Sequence, residues 1–328
     1  MKRLKSRATA IAFGTALAVA CGFGAVTANA SSGNDTADRA PKAANLCTEG
    51  AASSGDEVPG QLSRSRVSDD LGAQTRQHRE ARGWSQGKTP RHPLQKGRSG
   101  PSGKDVGVNE DLHPAQGTAF LERDGNDGAC ATHSVSREVN VTEGSTTIYT
   151  PTLYPAGGSC IELVTVYTQS QATVSAWDWC ETVSFQASVP IDDAFVKSYT
   201  DGSSPAYTGR VVRTDEGANT WTAELYNHET GQWDELYTKS GTTQGRNDGW
   251  DIYELYSSTN DQGRAHSCDA MAGQTFESTN ITVRNGGQWS AASPDNSNTG
   301  YDQPDDAFKC PERTYEMVNQ YDHWKAVG

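Results

Sequence analysis

The stretch GWDIYELYS, Gly249 to Ser257, decides how the chain is read. As a β-strand it sends Trp250, Ile252, Glu254 and Tyr256 to one side and Asp251, Tyr253 and Leu255 to the other. A carboxylate then stands in a row of aromatic and apolar groups, where its charged form is costly. Around this stretch, from about residue 118 onward, short runs rich in Val, Thr, Tyr and Trp alternate with turn clusters. Strands are expected near 134–141, 146–153, 160–168, 171–188 (two strands or one bent one), 207–214, 220–227, 232–238, 249–257 and 274–284. The expected fold class is all-β: a two-sheet antiparallel β-sandwich, concanavalin-like or jelly-roll-like, over 118–328. About 210 residues suit one such domain.

NHETGQ, closed by Gly231, predicts a hairpin joining TWTAELY to WDELYT. PERTYEMVNQYDHW is the one stretch compatible with a short terminal helix, and its pattern is ambiguous. No period of 20–50 residues recurs, which excludes propellers and solenoids.

Residues 1–30 read as a signal peptide: Lys2, Arg3, Lys5 and Arg7, then an apolar run, then the small-residue site Ala28-Asn29-Ala30. A lipoprotein anchored at Cys21 is disfavoured, because AVAC has no leucine three positions before the cysteine. No other segment has the ~20 apolar residues of a membrane span. The expected product is secreted, extracellular, monomeric and without membrane association. Residues 31–117 read as a disordered, basic linker or prosegment. Within them, 62–104 hold ten Lys or Arg against Asp69, Asp70 and Glu80, a charge of +7, and 105–328 carry −21. So polar a stretch cannot build a core. It is a linker, a tail or an inhibitory prosegment drawn to the acidic domain. Trp84 is the one Trp, Tyr or Phe among its charges, too few for a stacking platform, so no nucleic-acid partner is expected.

Of seven cysteines, Cys21 leaves with the signal. Cys47, Cys130, Cys160, Cys180, Cys268 and Cys310 remain, an even set without a CxxC pair, as disulfides require and zinc sites do not. Connectivity is open, with Cys160–Cys180 favoured because they lie in neighbouring strands and Cys268–Cys310 because they bracket the C-terminal segment. Cys47 is then left for Cys130.

Two further strands repeat the pattern of the opening one. Trp177, Trp179 and Glu181 share a face in SAWDWCETV, and Trp233, Glu235 and Tyr237 do so in WDELY. Read blandly, these are wet faces of antiparallel sheets. If the strands are neighbours, they form an aromatic platform holding carboxylates, suited to a polypeptide or a polysaccharide. An apolar shelf raises a glutamate's pKa, which fits it for proton transfer. Neither a metal nor a cofactor is expected. RDGNDG at 123–128 is one residue short of a calcium loop and lacks a distal bidentate Glu. His133, His228, His266 and His323 are scattered, and neither HExxH nor G-x-S-x-G occurs.

Read in order, TWTAELYNHETGQWDEL, GWDIYELYS and QTFESTNITVRNGG resemble the C-terminal half of the glutamic peptidases of the eqolisin type. The matching positions are Asn227, Thr230-Gly231-Gln232, Trp250 to Glu254, and Phe276 to Val283, and with SAWDWCETV upstream the match covers about 110 residues. SAWDWCETV is more loosely similar to the segment lining that family's cleft. The resemblance implies an acid-acting peptidase in which Glu254 activates water and a glutamine amide stabilises the oxyanion. The chain departs from the family in two places. It has no Trp-Val-Gly-Ile-Asp-like strand before the catalytic glutamine, and one extra residue stands between Trp250 and Glu254. Gln169, Gln171 and Gln186 are candidates for the glutamine, with Gln171 sharing the alternation of Trp177. The expected site is therefore Glu254 and Gln171 for catalysis, with Trp177, Trp179, Glu181, Trp233, Glu235, Trp250 and Tyr256 on the substrate. The alternatives are a carbohydrate-binding, lectin-like module without chemistry and a sandwich whose groove binds other proteins.

Overall fold

The computed structural model describes residues 45–48, 50–63, 110–243, 245–299 and 304–328. The expected signal peptide at 1–30 and residues 64–109 of the expected basic segment lie outside them. The strands in chain order are β1 Ser53–Glu57, β2 Leu62–Ser63, β3 Asp111–Leu112, β4 Ala115–Phe120, β5 Asn126–Ser134 and β6 Thr147–Tyr154. Then come β7 Ile161–Tyr167, β8 Ala172–Asp178, β9 Ser184–Pro190, β10 Ala206–Asp215, β11 Thr220–Asn227 and β12 Gln232–Ser240. The last are β13 Gly249–Ser258, β14 Thr275–Asn285, β15 Gln288–Ala291, β16 Ser297–Asn298, β17 Thr314–Asn319 and β18 His323–Val327.

They form two nine-stranded sheets. The first runs β1-β12-β11-β10-β5-β14-β18-β17, with β15 on β14; the second runs β16-β4-β13-β6-β7-β8-β9-β2, with β3 on β13. All described pairings are antiparallel except β1 with β12. The sheets face one another across a core to which Ala131, Tyr207, Leu225 and Phe276 come from the first and Ile148, Leu163, Ala176 and Tyr253 from the second. This is the predicted sandwich. It begins before residue 118, since β1 to β4 already belong to its sheets.

The three disulfides are Cys47–Cys130, Cys160–Cys180 and Cys268–Cys310, the pairing the spacing favours. Two local readings need correction. The strand expected at 134–141 lies at β5, ending where the anticipated one began. PERTYEMVNQYDHW is no helix: β17 and β18 form a hairpin on the free edge of β14, with Tyr321 at φ 77 in its turn. Pairing with an available sheet edge overrides a weak helical pattern. RDGNDG forms the turn into β5, where the Asn285 amide donates to the Asp124 carbonyl and to Asn126 Oδ1.

Gly249 opens β13 where the β6 strand leaves the sheet, and a Cβ there would collide with the backbone of residues 154–156. Gly249→Ala is expected to destabilise the fold by about 1–3 kcal/mol through overpacking, read as a lower denaturation midpoint with an unchanged m-value.

Candidate active site

Strand β13 carries carboxylates on both its faces. Asp251 points into the inter-sheet core, where its Oδ2 lies 2.8 Å from His133 Nε2 and its Oδ1 accepts from Trp324 Nε1 at 2.7 Å. His133 Nδ1 meets the Tyr207 hydroxyl at 3.2 Å, and that hydroxyl meets Thr165 Oγ1 at 2.9 Å. Burial holds the Tyr207 proton far above the usual tyrosine range. All of these groups are buried. The network joins β5, β10 and β18 of the first sheet to β7 and β13 of the second, so Asp251 is a structural clamp.

Glu254 points the other way, onto the outer face of the second sheet, and is 0% exposed. Its Oε1 accepts from the Tyr256 hydroxyl at 2.6 Å and lies 2.5 Å from His113 Nε2. The His113 ring stacks on Tyr256 with centroids 4.1 Å apart. Tyr149 stands directly across from Glu254 on β6 and meets Tyr256 edge-on. Ring contacts then run through Phe185, Trp177, Trp179 and Tyr154 to Trp250. At the Trp250 end lies a second buried carboxylate, Glu162. Glu162 accepts from Thr152 Oγ1 at 2.7 Å, Trp250 Nε1 at 3.0 Å and Trp179 Nε1 at 2.9 Å. The Arg246 guanidinium, paired with Asp248, covers the Trp179 ring at 4.8 Å and the Trp250 ring at 5.2 Å. With both oxygens engaged, Glu162 ties β6, β7 and β13 to the turn after β8.

The structure thus brings Trp177, Trp179, Trp250, Glu254 and Tyr256 onto one face. Other expected members lie elsewhere. Trp233 and Glu235 are on β12, in the other sheet, and Trp233 packs against the Cys47–Cys130 disulfide beneath Arg210. Glu181 sits in the turn after β8 rather than on the strand, where its pairing with Lys239 holds its carboxyl below the usual range. Gln171 lies in the β7–β8 turn, where its carbonyl accepts from Thr168 N. The row through Glu254 runs to Tyr149, Val166 and Thr173, which puts the β8 strand about 14 Å away, three strand spacings across the sheet. Gln171 is beyond that row, so no carboxamide is brought to Glu254 from the expected position.

Two members of the face, Glu162 and His113, lie outside the expected site. Glu162 alternates with Val164 and Val166 in an expected strand, and that alternation is its signal. His113 lies in the segment read as a linker, and no local signal distinguishes it. The wet-face reading of β13 fails, because Glu254 has no exposure.

No protein-family profile and no curated protein matches the chain. Among solved structures, scytalido-glutamic peptidase with a peptide-based transition state analog aligns at 13% identity and a TM-score of 0.38, covering 67% of this chain and 99% of that one. The same peptidase with a transition state analog inhibitor aligns at 13% and 0.37, covering 65% and 98%. SCP-B, a member of the eqolisin family of peptidases in complex with the tripeptide Ala-Ile-His, aligns at 13% and 0.37, covering 67% and 99%.

Proposed function

We propose that the chain is an exported hydrolase that cleaves polypeptides, with Glu254 as the group that activates water. One observation carries this reading: a fully buried carboxylate on an aromatic face, with one oxygen held by both His113 Nε2 and the Tyr256 hydroxyl. A glutamate so placed is oriented and desolvated, the condition for a general base. The resemblance of the β11–β14 motifs to glutamic peptidases names the bond. The water oxygen bonds to the scissile carbonyl carbon while Glu254 takes the water proton. That proton passes to the leaving amine nitrogen as the C–N bond breaks.

Export is argued from the leader sequence and fits the three disulfides, which persist in oxidising compartments. No described helix is long and apolar enough to cross a membrane. The prosegment reading of 62–104 rests on opposed charge alone, and removal of that stretch before assay belongs to the proposal. The lectin-like alternative calls for an exposed strip of rings, whereas Trp177, Trp179 and Trp250 are at most 1% exposed here.

The test is incubation of the processed protein with a denatured protein substrate between roughly pH 2 and 5, the range in which carboxylates titrate. New peptide termini are the expected result. Their complete absence, together with retention on insoluble polysaccharide, gives the function to the lectin-like alternative.

A further inference from the structure

We propose that His113 is the positioning residue of Glu254 and the route by which that carboxylate exchanges protons with solvent. The inference rests on the hydrolase reading and goes beyond it, because the motifs that single out Glu254 point to a carboxamide partner and never to an imidazole.

The backbone around His113 is laced to the end of β13. Asp111 and Leu112 pair with Ser258 and Ser257. Glu110 N donates to Thr259 Oγ1 at 2.9 Å, Thr259 N to the Glu110 carbonyl at 3.0 Å, and Leu255 N to the Pro114 carbonyl at 3.3 Å. These bonds fix the imidazole from both sides in sequence, and stacking on Tyr256 fixes its plane. Within the cluster, Glu254 is 0% and Tyr256 2% exposed, whereas the His113 side chain is 20% exposed. Of these three side chains, His113 gives the buried carboxylate its contact with water. Its second ring nitrogen can take up or release a proton as Nε2 gives or takes one, the ordinary behaviour of a histidine shuttle.

Of the titratable groups on the packed elements, Tyr256 on β13 and Tyr149 on β6 stand beside Glu254, and Glu110 and Asp111 are beside His113 in sequence, whereas Asp251 and Tyr253 of β13 point to its other face and Tyr154 of β6 packs at the Trp250 end. At this same end of β13, Glu143 is linked through Ser145 to Ser258, and His266 N donates to the Ser258 carbonyl. Of these groups, Tyr256 is the one whose hydroxyl donates to Glu254 alongside His113. Glu254 Oε1 and His113 Nε2 lie 2.5 Å apart, so a change of charge on either side chain acts directly on the other. Loss of the imidazole removes a hydrogen-bonding partner of the carboxylate, so the acid limb of a rate that depends on Glu254 moves upward.

The experiment compares pH–rate profiles of wild type, His113→Gln and His113→Ala on a denatured protein substrate. An NMR titration of the His113 ring in wild type and Glu254→Gln accompanies it. The expected results are an acid limb moved upward by about one pH unit or more in both His113 variants, and a smaller rate loss for Gln, which keeps a donor. The imidazole titration should differ between Glu254→Gln and wild type, because Nε2 lies 2.5 Å from the replaced carboxylate. A hydrolysing wild type whose acid limb is unmoved in His113→Gln overturns the inference alone, as does an imidazole titration unchanged by Glu254→Gln. A wild type that never hydrolyses overturns the hydrolase reading and the inference with it. If His113→Ala fails to fold, His113→Gln and the titration decide.

Discussion

Glu254→Gln is expected to slow polypeptide hydrolysis by about 10²–10⁴-fold while leaving the melting temperature nearly unchanged. Glutamine matches glutamate in shape, and its carbonyl oxygen can accept from the Tyr256 hydroxyl and His113 Nε2 as Oε1 does now. Both donors keep an acceptor, so the main source of large destabilisation is absent. What disappears is the capacity to take a proton from water. Rates at acid pH and thermal melts of the same preparations check both halves of this expectation.

Asp251→Ala should do the reverse. The substitution leaves His133 Nε2 and Trp324 Nε1 without the carboxylate that now accepts from them, in a region where all three residues are fully buried. Breaking a buried polar pair by removing one partner costs about 3–5 kcal/mol. In a domain of this size that lowers the melting temperature by roughly 6–20 °C. Below the new melting point the folded fraction should hydrolyse substrate at nearly the wild-type rate, because Asp251 lies on the opposite face of β13 from Glu254. Calorimetry gives the first result and rates at reduced temperature the second.

The two residues show what the sequence can convey. Period-two alternation in GWDIYELYS is enough to place Asp251 and Glu254 on opposite faces, and the sheets agree. Alternation does not say which sheet a strand joins. Trp233 and Glu235 follow the same pattern, yet β12 pairs β11 and β1 while β13 pairs β4 and β6, so the two aromatic rows are in different sheets. Irregularities also break the alternation. A register shift between Ala223 and Glu224 puts Tyr237 opposite Ala223 and Glu235 opposite Glu224, so Trp233 joins the outer disulfide cluster while Tyr237 packs on the core. Gln171 and Glu181 fail for a simpler reason: both lie just past the ends of β8, in turns where the alternation has no meaning. His113 is hidden by composition. It follows a basic, Gly- and Pro-rich block, and only the pairing of β3 with β13, a contact between residues about 145 positions apart, carries it to the site.

The claim that Glu254 is the working carboxylate of this face is tested most directly by one crossed series. Cleavage rate and melting temperature are measured on wild type, Glu254→Gln and Asp251→Ala with the same denatured substrate at acid pH. The account predicts that activity collapses in the first variant at wild-type stability and that stability collapses in the second with activity per folded molecule retained. Equal rates for wild type and Glu254→Gln, with both proteins folded, would contradict it.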